Sequence, residues 1–559
     1  SWRCLLLLTG FSRWVWSPER IHRLSPIYTP FEDTSPCLML GATRVGLLDQ
    51  PDPRKVHKEP IARVGGIAFA LGALVAIRYW ALDHAVVIGT LAGALIIVCM
   101  GCLDDFFDLP VRYKFMGQVL AAGVVVISTG LLWQPISLLF GFDLPFWISI
   151  PLTIFVLVTM TNAMNLSDGL DGLAGGLSFV SFGLVAYLAY QINDSLVLYL
   201  TLPVMCGLLG FLRFNTYPAR VFMGDGGSQF LGFVLDVSAL LLTLADRSPI
   251  SPWLVMFIFG VPLMDLVAVT MQRILSGESP FKADRQHVHH KLLSLGFSHH
   301  QVVLILYALQ ISLVLLAYAC RWSSDGFLMS LYFLLLAGLG TFYYGVSSGR
   351  LRPEAFRRWN TGVLYWRTWV DSNQWLSEWC LYGLLTGLMG FFLLGILSSY
   401  SVPTGISNLA LGLVMLVFVG SLGNAKTILL TTRMALYLGS TFILYEVEHV
   451  LVAAAPQLTA LFQVFFVLLI IGLLLAIHLD KDKRFQPNPM DFLVLFLALM
   501  MLVLLKIQMG DVDLGEMLAK LIVLFFVCEV LVQAFSSKVR HLGYLSGVVL
   551  LSLATRAFW

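Results

Sequence analysis

Charge is what this chain has least of. Only 12% of its 559 residues are Asp, Glu, Lys or Arg, and 58% are hydrophobic, whereas a typical soluble domain is roughly a quarter charged. So much apolar surface cannot be hidden in one core, which excludes a sizeable soluble domain. A net charge of +2 provides no basic field and argues against nucleic acid as a partner. The eight cysteines are scattered, and the one Cys-x-x-Cys pair, Cys99 and Cys102, lies in an apolar run. Packing accounts for them better than a redox or zinc centre does. No cleavable leader is read either, because Leu5 to Leu8 behind Arg3 is too short to span and lacks a cleavage site.

Long apolar runs are abundant instead, and they make a lipid bilayer the first partner. About twenty residues cross a bilayer as helix, and suitable segments lie near 65–82, 86–103, 116–132, 147–162, 173–190, 196–212, 228–245, 252–270, 302–319 and 327–345. Roughly seven more follow a basic connector that carries Arg350, Arg352, Arg357, Arg358 and Arg367. The expected fold is all-α, a polytopic transmembrane helical bundle with about ten core helices and about seven C-terminal ones. Residues 40–345 read as the core, 346–379 as the connector and 380–559 as a C-terminal membrane domain whose function is not readable.

Charge placement orients the core. The alternating spans put loops 49–64, 104–115, 163–172, 213–227 and 271–301 on one side, with twelve Lys and Arg among them. The opposite loops hold only Arg247 and Arg321, with Arg78 near a span end. The basic side is therefore cytoplasmic.

Every unusual polar cluster falls in those five loops. The second span ends in Asp104-Asp105-Phe106-Phe107-Asp108; if helical, Asp104 and Asp108 share a face. Carboxylates this close repel unless a cation is bound or one is protonated, and magnesium suits such an oxygen set. Asn162 to Gly176 packs Asn165, Asp168 and Asp171 among glycines that let backbone amides approach a bound group. Arg213 to Ser228 holds Asn215 and then Phe222-Met223-Gly224-Asp225, a carboxylate at a span start where helix amides can face an anion and an aromatic that could stack on a base. Pro280 to Leu293 brings His287, His289 and His290 together with Lys282, Arg285 and Lys291, a set better suited to phosphate than to zinc. Lys55 to Gly66, with Lys58, is on its own a positive-inside loop. Plain turns and solvated loops remain the alternative reading of each cluster taken singly.

In this order and on one side, the five segments resemble the polyprenyl-phosphate N-acetylhexosamine-1-phosphate transferases over residues 40 to 320. The His-x-His-His form is similar to the branch that transfers GlcNAc-1-phosphate; the muramoyl-pentapeptide branch carries three consecutive histidines. The resemblance implies a bacterial inner-membrane enzyme, its site facing the cytoplasm, that moves an N-acetylhexosamine 1-phosphate, GlcNAc-1-phosphate by this branch, from a UDP-sugar to polyprenyl (undecaprenyl) phosphate and releases UMP. This would be the first membrane step of a cell-envelope glycan. It implies Mg2+, with Mn2+ as a substitute, held by Asp225 with Asp104 and Asp105, which would also position or deprotonate the acceptor. Asp168, Asp171 and Asn215 would line the nucleotide pocket with Phe222 facing the uracil. The histidines would hold phosphate, and Lys58, Lys114, Asn165 and Arg285 would add substrate contacts. A homodimer is compatible with it. Where that family has a spanning helix, residues 9–37 carry Ser, Pro, Arg, Glu and Asp, so 1–39 reads as an atypical N-terminal segment.

Two other classes compete. A membrane prenyltransferase using an isoprenyl diphosphate would explain the aspartates but not Phe-Met-Gly-Asp or the histidines. A transporter would explain Asp236 and Asp265 inside spans but not motifs gathered on one face.

Overall fold

The computed structural model describes residues 48–49, 61–81, 84–133, 144–243, 250–279, 286–351, 374–398, 404–454, 456–479, 508–509, 512–535 and 539–555. These form two compact units, one containing the described residues up to Leu351 and one those from Gln374 onward.

The first unit consists of helices α1 (Gly65–Trp80), α2 (Ala85–Phe107), α3 (Val111–Thr129), α4 (Phe146–Leu166), α5 (Leu173–Gln191), α6 (Ser195–Asn215), α7 (Gly224–Leu242), α8 (Leu254–Leu275), the short α9 (Val288–Ser294), α10 (His299–Ala319) and α11 (Asp325–Ser347). Helices stand at all ten expected apolar segments, and α9 is an addition that hydropathy does not mark. Ten helices among the described residues of the chain are long and apolar enough to cross a membrane, eight of them in this unit.

Helix α7 is the centre. It is buried all round from Gly226 to Leu242, as a helix apolar on every face must be, and it packs on α1, α2, α4 and α5. Its first turn is threaded between neighbours by glycine. A Cβ on Gly66 would overlap the Met223 carbonyl and the Gly227 backbone, and one on Gly101 would overlap Gly226. The glycines beside Asp225 thus set helix separation. Just before α7, the chain runs alongside residues 62–66 as a short parallel ladder, with Phe222 N donating to Ala62 O at 2.9 Å and Gly65 N to Phe222 O at 3.0 Å. Ala62 also pairs with Leu48 in the two-residue antiparallel ladder of β1 (Leu48–Asp49) and β2 (Ile61–Ala62).

Helix α8 is broken at Gly260, whose φ of 35° leaves the helical region. Pro262 has no N–H to give the Ile258 carbonyl four residues back, and an orphan carbonyl in hydrocarbon costs several kcal/mol. Fully buried Gln310 of α10 repairs the break: its Nε2 donates to Ile258 O at 2.9 Å, while its Oε1 accepts from Val261 N at 2.9 Å. Ser181 of α5 adds a second donor to Ile258 O at 2.7 Å.

The second unit holds α12 (Gln374–Ser398), α13 (Thr404–Ser421), α14 (Ala425–Ala454), α15 (Pro456–Leu479), the ladder of β3 (Gln508–Met509) and β4 (Val512–Asp513), α16 (Leu514–Ala534) and α17 (Val539–Thr555). Its core is apolar, with Phe391, Phe392, Phe462 and Phe466 at the centre. Charges are buried within it as well. Lys520 Nζ lies 2.5 Å from Glu448 and 2.7 Å from Glu516, with the Phe462 ring 4.9 Å away. Further along α14 and α16, Arg433 pairs with Glu529, which also accepts from Tyr437 at 2.5 Å.

Candidate active site

The chemistry-bearing residues stand on helix ends that hydropathy trims away. Helix α2 continues past its apolar part to Phe107, so Asp104 and Asp105 occupy its last turn. Asp108 does not share their face: it takes a left-handed backbone (φ 50°) as the C-cap and turns out to solvent. Leu109 N folds back onto Asp104 Oδ1 at 2.9 Å. Helix α3 starts at Val111 and so includes Lys114, which pairs with Asp104 and lies 3.4 Å from Asp225 Oδ2.

Helix α7 presents Asp225 in its first turn. The anion that its amides face is internal. Asp105 Oδ1 accepts from Asp225 N at 3.1 Å, and Oδ2 accepts from Gly226 N at 3.4 Å. Gly224 (φ 73°) makes room for this, since a Cβ there would stand 2.5 Å from Asp105 Oδ2. The Asp105 side chain is 3% exposed whereas that of Asp225 is 37% exposed. Both oxygens of Asp105 are thus engaged in capping α7, and Asp225 faces outward. Arg63 NH1 lies 3.9 Å from Asp105.

Asn165 binds both sides of this turn, donating to Asp225 Oδ1 at 3.3 Å and to Ser228 Oγ at 2.8 Å. Below it, Asn162 donates to Gln118 at 2.6 Å and Gln118 to Gln229 at 3.0 Å.

The glycine-rich loop between α4 and α5 forms the adjoining wall. Burial, reinforced by the charges of Asp225, Asp105 and Asp171, pushes the Asp168 carboxyl up to about 7. Asp171 Oδ2 accepts from Ala219 N at 3.0 Å. The Asn215 amide is fully engaged with main chain, accepting from Gly172 N at 3.0 Å and donating to Val221 O at 2.9 Å. It splices two loops together, a scaffold task beyond the pocket-lining one that the sequence suggested. Half-buried Phe222 holds its ladder place next to Val221.

The histidine motif closes the wall. His289 is 2% exposed and abuts Gly169, where any Cβ would overlap its imidazole. Its ring lies 5.9 Å from that of His287 in a parallel stack and 4.2 Å from that of His290. Burial, with the neighbouring His290 charge, pushes His289 down to about 3, so it enters the cluster uncharged at neutral pH. His287 Nδ1 lies 2.8 Å from Asp265 Oδ2, the contact of an Nδ1–H tautomer with a carboxylate. Lys58 and Arg285 lie outside the described residues.

The structure thus brings Asp104, Asp105, Lys114, Asn165 and Asp225 into one cluster, with Asp168 close enough to feel its charge and the histidines against Gly169. Asp104, Asp105, Asp168, Asp171 and Asp225 outnumber the cations Lys114 and Arg63. Such an excess calls for an added cation or a proton. Among the described residues no group of three or more His, Cys, Asp and Glu side chains is arranged to hold a metal ion. Two carboxylates, Asp225 and Asp104, fit the sparse oxygen ligation that magnesium takes when substrate phosphates and waters complete its shell.

Several contributors escaped the sequence reading. Tyr307 donates to Gly172 O at 2.6 Å and fixes the loop carrying Asp171; Gly176 has no Cβ, which lets that ring in. His299 and His300 stand 4.6 Å and 4.7 Å from the Tyr217 ring. The available signal was a polar residue interrupting an apolar run, the intramembrane exception that points to function: Gln310 and Asp265 both show it.

A family model described as glycosyl transferase family 4 matches residues 87–243. A probable undecaprenyl-phosphate N-acetylglucosaminyl 1-phosphate transferase of Bacillus subtilis (strain 168) is 36% identical over 298 residues, covering 52% of this chain and 83% of the relative. An undecaprenyl-phosphate alpha-N-acetylglucosaminyl 1-phosphate transferase of Yersinia pestis is 34% identical over 278 residues, covering 47% and 74%. A decaprenyl-phosphate N-acetylglucosaminephosphotransferase of Mycobacterium tuberculosis (strain ATCC 25618 / H37Rv) is 34% identical over 314 residues, covering 49% and 75%.

Proposed function

The chain belongs to glycosyl transferase family 4, and on that premise we propose that it transfers N-acetylglucosamine 1-phosphate from UDP-N-acetylglucosamine to a polyprenyl phosphate with release of UMP. One observation carries the reading: Lys114 and Asp225, 111 positions apart, meet beside Asp104 at the polar end of an otherwise apolar bundle. A water-soluble donor and a lipid-borne acceptor can both reach such a place.

The reaction joins two anions, so positioning and fixed charge do most of the work. An oxygen of the lipid phosphate attacks the sugar-bearing phosphorus. The bond from that phosphorus to the bridging oxygen breaks, and the electron pair leaves on UMP. Lys114 gives the entering phosphate a fixed cation. Asp104, held by Lys114 and by Leu109 N, orients the acceptor and takes its proton when the phosphate arrives as the monoanion. Asp105 acts through the fold by fixing the turn that carries Asp225. The pinned loop of Asp168 and Asp171, with Phe222, holds the nucleoside. Neutral His289 and its neighbours wall off the pyrophosphate.

Magnesium, when bound through Asp225 and Asp104, supplies charge neutralisation of the donor pyrophosphate. We place the site at the cytoplasmic face of a bacterial inner membrane, because Arg63, Arg112, Lys114, Arg213, Arg220, Arg273 and Lys291 belong to its side of the bundle.

The test is UMP release by purified protein given UDP-N-acetylglucosamine, polyprenyl phosphate and magnesium. UMP with this donor and none with UDP-glucose is the expected result. Absence of UMP from every UDP-N-acetylhexosamine overturns the reading.

A further inference from the structure

Asp265 lies in α8, five residues past the break at Gly260, and is 3% exposed. A carboxylate so buried is strongly disfavoured unless its oxygens are saturated with donors. Three groups supply them, two from adjacent residues at the start of α9 and one from α11. His287 Nδ1 reaches Oδ2 at 2.8 Å, Val288 N reaches Oδ1 at 2.8 Å, and the Tyr343 hydroxyl of α11 donates to Oδ1. The Val288 amide and the Tyr343 hydroxyl donate, and a carboxylate beside His287 Nδ1 selects the tautomer that donates there as well. A carboxylate, which only accepts, fits this pattern; an Asn amide would turn its NH2 toward at least one of them.

From this geometry we infer that Asp265 is the positioning residue of the histidine motif, an inference that rests on the proposed transferase reaction. By accepting at Nδ1 it fixes the ring proton there and turns the opposite nitrogen, Nε2, away from α8. By accepting from Val288 N it pins the start of α9, so His289 and His290 are set from the same carboxylate. His287 stacks on His289, and His289 abuts Gly169 beside Asp168. The orientation of the whole motif against the nucleotide loop therefore traces back to Asp265. A second tie makes α11 part of the same support: Lys291 Nζ donates to Ser347 Oγ at 3.1 Å and lies 4.5 Å from the Tyr343 ring centre.

The test is a double-mutant cycle on UMP release. Asp265→Asn is expected to lower kcat roughly 10- to 100-fold, the range seen when the outer partner of a working histidine is lost, with KM for UDP-N-acetylglucosamine changed much less. In a His287→Asn background the same substitution should cost much less than in wild type, because the Nδ1 contact is already gone and only the Val288 N contact remains to be perturbed. Multiplying losses, or an Asp265→Asn enzyme as active as wild type, overturn the inference. Should Asp265→Asn fail to fold, Tyr343→Phe serves the same cycle: it should slow wild type several-fold yet leave His287→Asn unchanged, and equal slowing in both backgrounds counts against it. A wild-type protein without UMP release overturns the transferase reading instead, so the two failures are distinguishable.

Discussion

Asp105 and Asp225 are 120 positions apart, and the carboxylate of the first accepts the backbone amide of the second at 3.1 Å. Two aspartates in neighbouring motifs thus hold opposite offices: one is sealed in as a helix cap and the other faces outward. Asp105→Asn should therefore lower both activity and melting temperature, the latter by the few degrees that losing a cap of about 1 kcal/mol implies. Asp225→Asn should lower activity by on the order of 100-fold or more, as loss of a key electrostatic group does, with the melting temperature nearly unchanged. Thermal unfolding and UMP release measured on the same preparations check the contrast; equal melting losses in both variants would contradict it.

The glycines around that turn separate packing from flexibility. Gly66→Ala would push a methyl into the Met223 carbonyl and the Gly227 backbone, neither of which has a side chain to rotate away. The expected loss is about 3 kcal/mol or more, with little folded protein recovered. Gly72, six residues on in the same helix, has nothing within 4 Å of where its Cβ would be. Gly72→Ala should be neutral or slightly stabilising by helix propensity. Detergent-solubilised yield and melting temperature of the pair decide it.

Asp168 provides a pH signature. Burial first, and then the charges of Asp225, Asp105 and Asp171, raise it to about 7, above the roughly 4 of an unfolded chain. Between those values the folded state binds a proton that the unfolded chain has lost, so stability falls as pH rises from about 4 to 7. Asp168→Asn removes the penalty of the charged form. It should raise the melting temperature more at pH 8 than at pH 5, in chelator and without donor, and abolish activity at both. A melting gain independent of pH would contradict the assignment.

Hydropathy located the bilayer-embedded middle of each helix well and the ends poorly, because an apolar window stops where charge begins. It ended α2 at 103, started α3 at 116 and started α7 at 228. The structure adds the turns that carry Asp104, Asp105, Lys114 and Asp225, which hydrogen bonding rather than hydrophobicity makes helical. Motif spacing did single out loops that the fold brings close together. It could not reveal that Asp105 caps α7, that Asn215 splices two loops or that Asp265 holds His287, because each of these is a contact between segments distant in sequence. Nor does local pattern distinguish a glycine kept for a ligand from Gly66 and Gly101, which are kept for helix contact. Asp108 shows the opposite error: i, i+4 spacing suggested a shared face that the left-handed cap abolishes.

The buried Lys520 of α16 bears on how the second unit is made. Glu448 emerges from the ribosome 72 residues before the lysine that pairs with it. A carboxylate so buried is costly without a partner, so Glu448 is satisfied only when Lys520 of α16 packs against it. A chain truncated between the two helices would leave that acid unmatched, so the pairing ties the stability of α14 to the presence of α16.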